Sequence, residues 1–413
     1  MKTTMTITAE NFKRAVKAAV SCCGYGRIVS ALSYVYMDIG KDGAFIACDL
    51  EQYVRCSFNP IKYSDDTLGV SVDSSILKKI ADTKGEHITL IYDEDSEREL
   101  KISNGKKIVT MACLPVDNSA GSNDFNRESY SLPFEMDKKE IMYLDSEELL
   151  VAVKNASVFT AKTDAKPILK GYHLNGHDNV IETIDGYHCM RKDWKSGTMN
   201  SNYFETVCEK LSNIKSVFNK NDGTIAVYDV EYKDSKLDFG KYKYTMFSLT
   251  EGNMKVDYAI RNMDGEFHPV SSAYPTSFKT EGTAKIGSLM ELCKEYGKFI
   301  TPKEVVPIVF YQAHNDGTVY ASLRTKSIKL CEPTEIKLCG NPLSAGYKNA
   351  YLMDGLSVFD KNDTVNLKTF GNLNPMLIEN DEYHVLVLPI RLEVDSEKEI
   401  EKDIALLNSK EVV

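Results

Sequence analysis

The sequence has little that would assign it to a membrane, a secreted scaffold or a zinc-binding module. No apolar run approaches the ~18 residues that a membrane-spanning helix needs. The N-terminus lacks the apolar block of a secretory signal. The ten cysteines include no Cys-x-x-Cys pair, and we expect reduced thiols that are mostly buried as small hydrophobic side chains. These absences favour a cytoplasmic protein without a membrane partner.

Motifs of familiar enzyme classes are also missing. The sequence contains no Gly-x-Ser-x-Gly, no Gly-x-x-x-x-Gly-Lys-Ser/Thr and no His-Glu-x-x-His. His188-Cys189 is a possible start of a metal site, but no second pair lies at ligand spacing, so a surface or pocket role is favoured. Carboxylates are abundant, and nothing selects two of them as an acid/base pair. We therefore expect no catalytic residues, no metal and no cofactor.

The overall charge is acidic, at −10 for 413 residues. Taken alone, this charge argues against nonspecific binding to nucleic acid. The content of 43% hydrophobic and 27% charged residues is that of an ordinary soluble protein, and the length suffices for two or three cores. The distribution of the charge is more informative than its sum.

What the sequence does contain is a segment that occurs three times. The clearest copy, residues 178–191, predicts a strand, a tight turn and a second short strand, and its relatives are residues 42–55 and 316–329. Aligning Asp49, Asp185 and Leu323 gives spacings of 185 − 49 = 136 and 323 − 185 = 138. Solenoid repeats have roughly 20–50 residues, whereas this period is that of a small domain. We predict three copies of one domain.

The flanking segments repeat in the same order. A helix is predicted before each copy, and two of these helices share Ala-Val-Lys at Ala15 and Ala152, a spacing of 152 − 15 = 137. A second helix is predicted after each copy, at 74–82, 203–214 and 343–353, and a closing strand at 108–114, 244–249 and 385–392. Residues 396–408 have apolar residues at helical spacing and predict an amphipathic tail helix. The predicted α+β domains are 1–130, 138–265 and 275–392, followed by the extension 393–413.

Basic residues recur on the predicted helices of every repeat. For any single lysine, a solvated helix face is the simpler interpretation. Recurrence in three repeats favours a shared basic surface for phosphate contacts that do not read sequence. The residues concerned are Lys13, Arg14, Lys17, Lys78, Lys79, Lys154, Lys210, Lys215, Lys294, Lys298 and Lys348.

The apolar closing strand, residues 386–390, is the second candidate site. Beside the turn at 184–187 it would form a groove suited to short peptide motifs with a few anchoring side chains. An ordinary core strand explains the same pattern equally well.

Taken together, residues 1–392 resemble the bacterial DNA polymerase III beta subunits, the processivity sliding clamps. The resemblance rests on the order of the elements and on four motifs: 47–51 (Ala-Cys-Asp-Leu-Glu), 169–171 (Leu-Lys-Gly), 184–186 (Ile-Asp-Gly) and 388–392 (Leu-Pro-Ile-Arg-Leu). It implies three DNA-clamp domains, each with two helices packed on antiparallel sheets. It also implies a head-to-tail homodimer, so that one chain is half of a six-domain ring.

The resemblance further implies a function without catalysis. The ring would encircle double-stranded DNA independently of sequence and tether the replicative polymerase in the bacterial cytoplasm, at the nucleoid. The implied partners are the polymerase catalytic subunit, the clamp loader, other proteins with clamp-binding motifs, and a second copy of the chain.

In this family a cleft between the second and third domains binds the partner motifs. The positions that correspond to it are Leu169, Ile184, Gly186, Tyr187, His188, Cys189, Val256, Leu388, Pro389, Ile390, Arg391 and Leu392. Ile184 replaces the usual Thr, residues 187–189 replace a His-Arg-Leu run, and Val256 replaces a Pro. Arg27 best represents the arginine with which the first domain touches DNA. The 413 − 392 = 21 residues beyond Leu392 are extra to the family pattern, and we expect the tail helix near the cleft.

Two other functions stay open at this point. A clamp-like fold can serve as a protein-interaction scaffold without DNA, although the helix lysines argue against that role. An enzyme acting on nucleic acid would need a cluster of acid/base or metal-binding residues, which the sequence does not show.

Overall fold

The computed structural model describes residues 2–24, 29–93, 95, 98–115, 130, 132–195, 198–199, 204–231, 243–274, 277–301, 304–314 and 317–409. Two compact units comprise Met1–Val153 with Ser196–Asp264 (unit 1) and Lys154–Lys195 with Gly265–Val413 (unit 2). The second predicted repeat, residues 138–265, therefore contributes to both units. Among the described helices none is long and apolar enough to cross a membrane.

Seven α-helices lie in these described ranges. They are α1 (Ala9–Cys22), α2 (Ser74–Ile80), α3 (Ser146–Ala156), α4 (Ile214–Val217), α5 (Ile286–Gly297), α6 (Asn349–Leu356) and α7 (Ser396–Asn408). Thr8 caps α1 by accepting a hydrogen bond from Asn11 N at 3.2 Å. Phe12, Val16 and Ala19 recur at helical spacing on its buried face.

The strands are short and every recorded pairing between them is antiparallel. They are β1 (Lys2–Thr8), β2 (Tyr34–Ile39), β3 (Ala44–Cys48), β4 (Gln52–Phe58), β5 (Lys62–Tyr63), β6 (Leu68–Asp73), β7 (His87–Asp93), β8 (Glu99–Ser103), β9 (Ile108–Ala112), β10 (Leu114–Pro115), β11 (Asp137–Asp145), β12 (Tyr172–Asn175), β13 (Val180–Ile184), β14 (His188–Asp193), β15 (Thr198–Met199), β16 (Glu205–Cys208), β17 (Thr224–Glu231), β18 (Lys243–Glu251), β19 (Met254–Arg261), β20 (Thr280–Lys285), β21 (Pro307–Gln312), β22 (Val319–Arg324), β23 (Lys329–Pro333), β24 (Lys337–Gly340), β25 (Ser344–Lys348), β26 (Thr364–Thr369), β27 (Met376–Glu379), β28 (Tyr383–Val387) and β29 (Pro389–Ile390).

Each unit contains a small sheet and a large one. In unit 1 the strand orders are β5-β1-β7-β8-β9 and β10-β6-β2-β3-β4-β19-β18-β17-β11-β15. In unit 2 they are β23-β22-β21-β25-β29 and β12-β13-β14-β28-β27-β26-β20-β24. In β1, Met5 and Ile7 are buried on alternate positions, as expected when one face of a strand packs on a core.

The repeated turn has the same hydrogen bonds in all three copies. The N–H groups of Asp49, Asp185 and Thr325 donate to the carbonyl three residues later, at 3.1, 3.2 and 2.9 Å. Their side-chain oxygens accept from the N–H groups two and three residues ahead, at distances between 2.8 and 3.2 Å. The third equivalent is therefore Thr325, at 325 − 185 = 140 residues, and the predicted alignment on Leu323 is wrong by two. A hydroxyl makes this turn in place of a carboxylate.

The hairpin around this turn also joins consecutive repeats. Its second strand in the first repeat, β4, pairs with β19, the second strand of the closing hairpin in the next repeat. In the second repeat β14 pairs in the same way with β28. The corresponding strands that remain are β23 and β9. Each is an edge strand, and no described strand pairs with its outer side. We call the strand pairing between consecutive repeats, β4 with β19 and β14 with β28, the strand joint. The strands that correspond to its two sides in the remaining place, β23 and β9, have no described partner on their outer sides.

Two predicted helices begin later than expected. Residues 205–208 of the predicted helix 203–214 form β16, and only a 3₁₀ turn (Glu209–Asn213) and the short α4 follow. In the predicted helix 343–353, residues 344–348 form β25 and α6 begins at Asn349. In both places buried residues pair in a sheet before the helix starts, so tertiary pairing outweighs the local pattern.

Candidate functional site

The turn at Asp185 and the end of β28 lie side by side in unit 2. Cys189 is opposite Leu386 in the β14–β28 ladder. Beyond the ladder, Leu388 N donates to Tyr187 O at 3.0 Å. Gly186 has φ +94°, a conformation that other residues rarely adopt, and the space where a Cβ would point is empty. The structure therefore brings together the segments 184–189 and 386–388.

The surface of this joint is apolar. Tyr187 is 58% exposed and Leu388 is 40% exposed. Beneath them, Cys189 and Leu386 are buried in a cluster with Val270 and Leu377, against which Ile184 packs. The half-buried Leu169 belongs to a 3₁₀ turn, Pro167–Lys170, that lies against β13. We call the surface formed by residues 184–189 and 386–388 the apolar wall. Its exposed apolar side chains are Tyr187 and Leu388.

An aromatic stack closes one side of the site. The rings of Tyr187 and Tyr351 are stacked with centroids 5.5 Å apart. His188 lies between Tyr351 at 4.6 Å and Phe159 at 4.7 Å. The ammonium of Lys348, predicted to face DNA, lies 4.4 Å from the centroid of Tyr351. The turn is thereby fixed against the first residues of α6.

His188 is held between two carboxylates. Its Nδ1 lies 2.9 Å from Asp185 Oδ1 and its Nε2 lies 3.3 Å from Asp354 Oδ2. Burial acts to lower the pKa of His188, but the two carboxylates outweigh it and raise the pKa above its usual value. Burial likewise acts to raise the pKa of Asp185, and hydrogen bonds from His188 and the backbone lower it. The pair fixes the turn electrostatically.

A second histidine links the same two strands further along. His384 Nε2 lies 3.1 Å from Asp193 Oδ2 and its Nδ1 lies 2.9 Å from Glu379 Oε2. Hydrogen bonds to Asp193 and Glu379 raise the pKa of His384 to about 9. An imidazolium can donate to both carboxylates at once, whereas neutral imidazole cannot.

The remaining candidate positions are residues 389–392, which lie between the apolar wall and the tail helix in the sequence, and Val256. Pro389 and Ile390 are half-buried in β29, which pairs with β25, and Arg391 is exposed. Ile390 and Arg391 line a separate pocket of about 340 Å³. Leu392 packs instead with the buried Val309 and the tail. Val256 belongs to unit 1, where it is buried in β19.

The tail helix α7 packs on one face of the small sheet of unit 2. Ile400 and Ile404 are buried against Val309, Tyr311 and Tyr320. α7 thus lies on β21, β22 and β23, and of the candidate cleft residues Leu392 packs against it. The sequence could not place α7 because its apolar stripe fits any apolar face.

The basic candidates differ in how they are held. Lys13, Lys17, Lys78, Lys79, Lys154, Lys215, Lys294 and Lys298 are exposed, and Arg14, Lys210 and Lys348 are half-buried. Arg14 forms ion pairs with Asp222 and Glu251. Lys13 Nζ lies 2.6 Å from Asp82 Oδ1. Arg27 lies outside the described residues.

A polar pocket adjoins α1. It has a volume of about 740 Å³, and Lys13, Lys17, Ser216, Asn219 and Asn253 are among its lining residues.

No group of three or more His, Cys, Asp and Glu side chains in the described ranges is arranged to hold a metal ion. The buried thiol of Cys189 is a poor nucleophile, because burial raises the pKa of Cys189 to about 12.

Comparison with known proteins gives a match in structure but not in sequence. No family model matches the chain, and no curated protein matches it. A DNA polymerase III beta subunit from Thermotoga maritima is similar, with a TM-score of 0.74, 19% identity and coverage of 95% of this chain and 100% of the other. The DNA polymerase III beta subunit from Pseudomonas aeruginosa has a TM-score of 0.75 at 15% identity, with coverage of 94% and 100%. A sliding clamp from Bacillus subtilis has a TM-score of 0.75 at 13% identity, with coverage of 95% and 100%.

The chain has the sliding-clamp fold.

This fold confirms the predicted α+β class with repeated clamp domains. Sequence reasoning missed Tyr351, Phe159 and Asp354, which contact the turn at residues 185–188. All three lie far from the turn in the sequence. The only local signal was Asp185 itself, which recurs at the same place as Asp49.

Proposed function

We propose that the protein is a DNA sliding clamp, a homodimeric ring that encircles duplex DNA and tethers a replicative polymerase. The clamp fold supports this function. A clamp needs no reactive group of its own, and we assign it no catalytic residue and no cofactor. Its place of action would be the bacterial cytoplasm, at the nucleoid.

The unfilled strand joint is the observation that carries this proposal. Repeats one and two meet through β4 and β19, and repeats two and three meet through β14 and β28. The open β23 of one copy and the open β9 of a second copy would make the same joint. Two different surfaces then meet, which is a head-to-tail contact that forms a closed ring when the rotation per copy completes a circle. Open edges are otherwise sites of uncontrolled pairing.

The β14–β28 register predicts the residues that meet at this joint. In the β13–β14 hairpin Ile184 pairs with Cys189, and the residue before Cys189 is His188. His188 pairs with Val387 of β28, which lies three residues after His384, the first β28 residue in the β27–β28 ladder.

The β4–β19 joint has a different register, because Gln52 pairs with Ile260, six residues after the start of its ladder. We take the β14–β28 register for the joint between copies because the ladders of β9 and β28 both begin after four-residue loops, at 104–107 and 380–383. This register places Ile328 opposite Met111, and therefore Cys331 opposite Ile108 and Glu332 opposite Lys107. Opposite residues of an antiparallel pair share one face. Glu332 and Lys107 then face each other with opposite charge.

The exposed helix lysines are the proposed contacts with DNA. Lys17, Lys79, Lys215 and Lys298 are exposed, and none of them forms an ion pair with a carboxylate in the part of the chain that the structure describes. Ammonium groups on flexible stems contact phosphates without fixing a position on the bases. A ring that holds DNA by topology requires only such weak contacts, which is compatible with a net charge of −10.

The apolar wall at 184–189 and 386–388 is the proposed site for partner motifs. Tyr187 and Leu388 provide exposed apolar surface for the anchoring side chains of a short peptide. Partners of this kind are the polymerase catalytic subunit, the clamp loader and other proteins with clamp-binding motifs. The rigid turn at Asp185 favours peptide binding, because a preformed site loses less conformational entropy when a ligand binds.

Two measurements test the proposed function. Light scattering should give a mass near 2 × 46.4 = 92.8 kDa. The loaded protein should remain on nicked circular DNA and be lost when the circle is linearised. A monomer at all concentrations, or equal retention on linear and circular DNA, would contradict the proposal. Retention in 0.5 M salt on circles alone distinguishes topological from electrostatic binding.

A further inference from the structure

The tail, from Leu392 through α7, contacts several strands of the small sheet of unit 2. Before the helix, Leu392 Cδ2 approaches Gly346 of β25 so closely that a Cβ there would lie 2.7 Å from it. Tyr311 OH in β21 donates to Glu401 Oε1 at 2.6 Å. Arg324, at the end of β22, is bonded to Asp403 and to Glu399. Glu399 also lies 3.9 Å from Lys329 of β23. The tail therefore contacts β25 before the helix begins, and the helix itself contacts β21, β22 and β23.

The open edge strand β23 lies against α7. Cys331 of β23 packs against the cluster that contains Ile400 and Ile404. In the turn that follows Ile404, Leu406 is 59% exposed and Leu407 is 42% exposed.

The matching open edge in unit 1 has an exposed apolar residue on the same face. In β9, Met111 is buried while Ile108 is 63% exposed. The register of the strand joint places Ile108 opposite Cys331, whose side chain faces α7. Lys107, which is exposed and precedes Ile108, would lie opposite Glu332 in this register. Apolar surface and charge are complementary between the two edges.

We propose that the last turn of α7 is part of the contact between two copies of this chain, with Leu406 and Leu407 packed on Ile108 of the second copy. This inference rests on the proposed head-to-tail dimer and assigns the tail a place in it. α7 thereby extends the contact from paired backbones to a buried apolar cluster. It also explains why two leucines are exposed beside an unpaired edge.

The test compares the double variant Leu406→Ala/Leu407→Ala with Val394→Ala. Val394 is 96% exposed at the other end of the tail and serves as the matched control. Dimer dissociation is measured by sedimentation velocity over a dilution series, and circular dichroism monitors the fold. The leucine variant should raise the homodimer Kd about tenfold or more, while the control leaves it unchanged. Equal Kd values for both variants would overturn the inference.

A double-mutant cycle tests the specific contact. Ile108→Ala is combined with the leucine variant, and the three Kd changes are compared. If the combined variant raises Kd by less than the product of the two separate fold-increases, Ile108 and the leucines are in direct contact. If the combined fold-increase equals that product, Ile108 lies elsewhere and the assigned contact is overturned. If the unaltered protein never dimerises, the proposed function itself fails. If it dimerises and the leucine variant behaves like the control, only the role of α7 fails.

Discussion

His384, which is hydrogen-bonded to two carboxylates, gives a prediction about stability over a defined pH range. The imidazole joins Asp193 on β14 to Glu379 on β27, so it ties the second repeat to the third. Its pKa rises from 6.5 to about 9. A group whose pKa is raised by folding stabilises the protein fully below the unfolded pKa, and this stabilisation is lost as the pH rises through the folded pKa. The relevant window is therefore about pH 6.5 to 9.

The size of the effect follows from the shift. A difference of 2.5 pKa units corresponds to at most about 3 kcal/mol at 1.36 kcal/mol per unit. The His384 side chain is 27% exposed, so solvent screening reduces this figure. We expect His384→Gln to lower the free energy of unfolding by about 1–3 kcal/mol at pH 6.5 and to have a much smaller effect at pH 9.5.

Urea denaturation at both pH values measures this difference. His177→Gln is the matched control, because the side chain of His177 is 70% exposed. Between pH 6.5 and pH 9.5 the unaltered protein and the control should lose more stability than the His384 variant. An equal pH dependence in all three proteins would refute the raised pKa of His384.

Three further changes test other parts of the structure. Leu388→Glu should weaken binding of a polymerase clamp-binding peptide more than tenfold in fluorescence anisotropy, with unchanged thermal unfolding; unchanged affinity would remove Leu388 from the cleft. The double variant Lys17→Glu/Lys79→Glu should make the slope of log K against log salt for DNA binding shallower by the equivalent of about two phosphate contacts. An unchanged slope would contradict the role of these lysines. Arg14→Ala should destabilise unit 1 by about 3 kcal/mol in denaturant melts, because it leaves Asp222 buried without its cation; a stability within 0.5 kcal/mol of the original, roughly that of a surface substitution, would contradict this.

The features that the sequence predicted were local or repeated. Asp49 and Asp185 make the same turn with the same hydrogen bonds, so the sequence alone revealed two copies. The third copy was misaligned because Thr325 makes the turn with a hydroxyl, which does not resemble a carboxylate in a sequence alignment.

Features that depend on distant partners were not predictable. Arg14 was predicted to face DNA together with the helix lysines, yet it forms ion pairs with Asp222 and Glu251, more than 200 positions away. Tyr351 gives no local sign that it stacks on Tyr187. Such contacts are set by the pairing of strands, which places residues from different repeats side by side.

A disulfide between two copies tests the head-to-tail joint most directly. Directly opposite residues in an antiparallel pair have Cβ atoms about 4.5–5.5 Å apart, which is close to disulfide geometry. Ile108→Cys should therefore crosslink to the native Cys331 of the second copy. Burial raises the pKa of Cys331 to about 11, so copper–phenanthroline is used as the oxidant.

On a non-reducing gel the Ile108→Cys protein should shift from 46.4 kDa to 2 × 46.4 = 92.8 kDa, and adding Cys331→Ser should abolish the shift. A protein that is dimeric in light scattering but stays at 46.4 kDa after oxidation, or that crosslinks equally well without Cys331, would contradict the joint between β23 and β9.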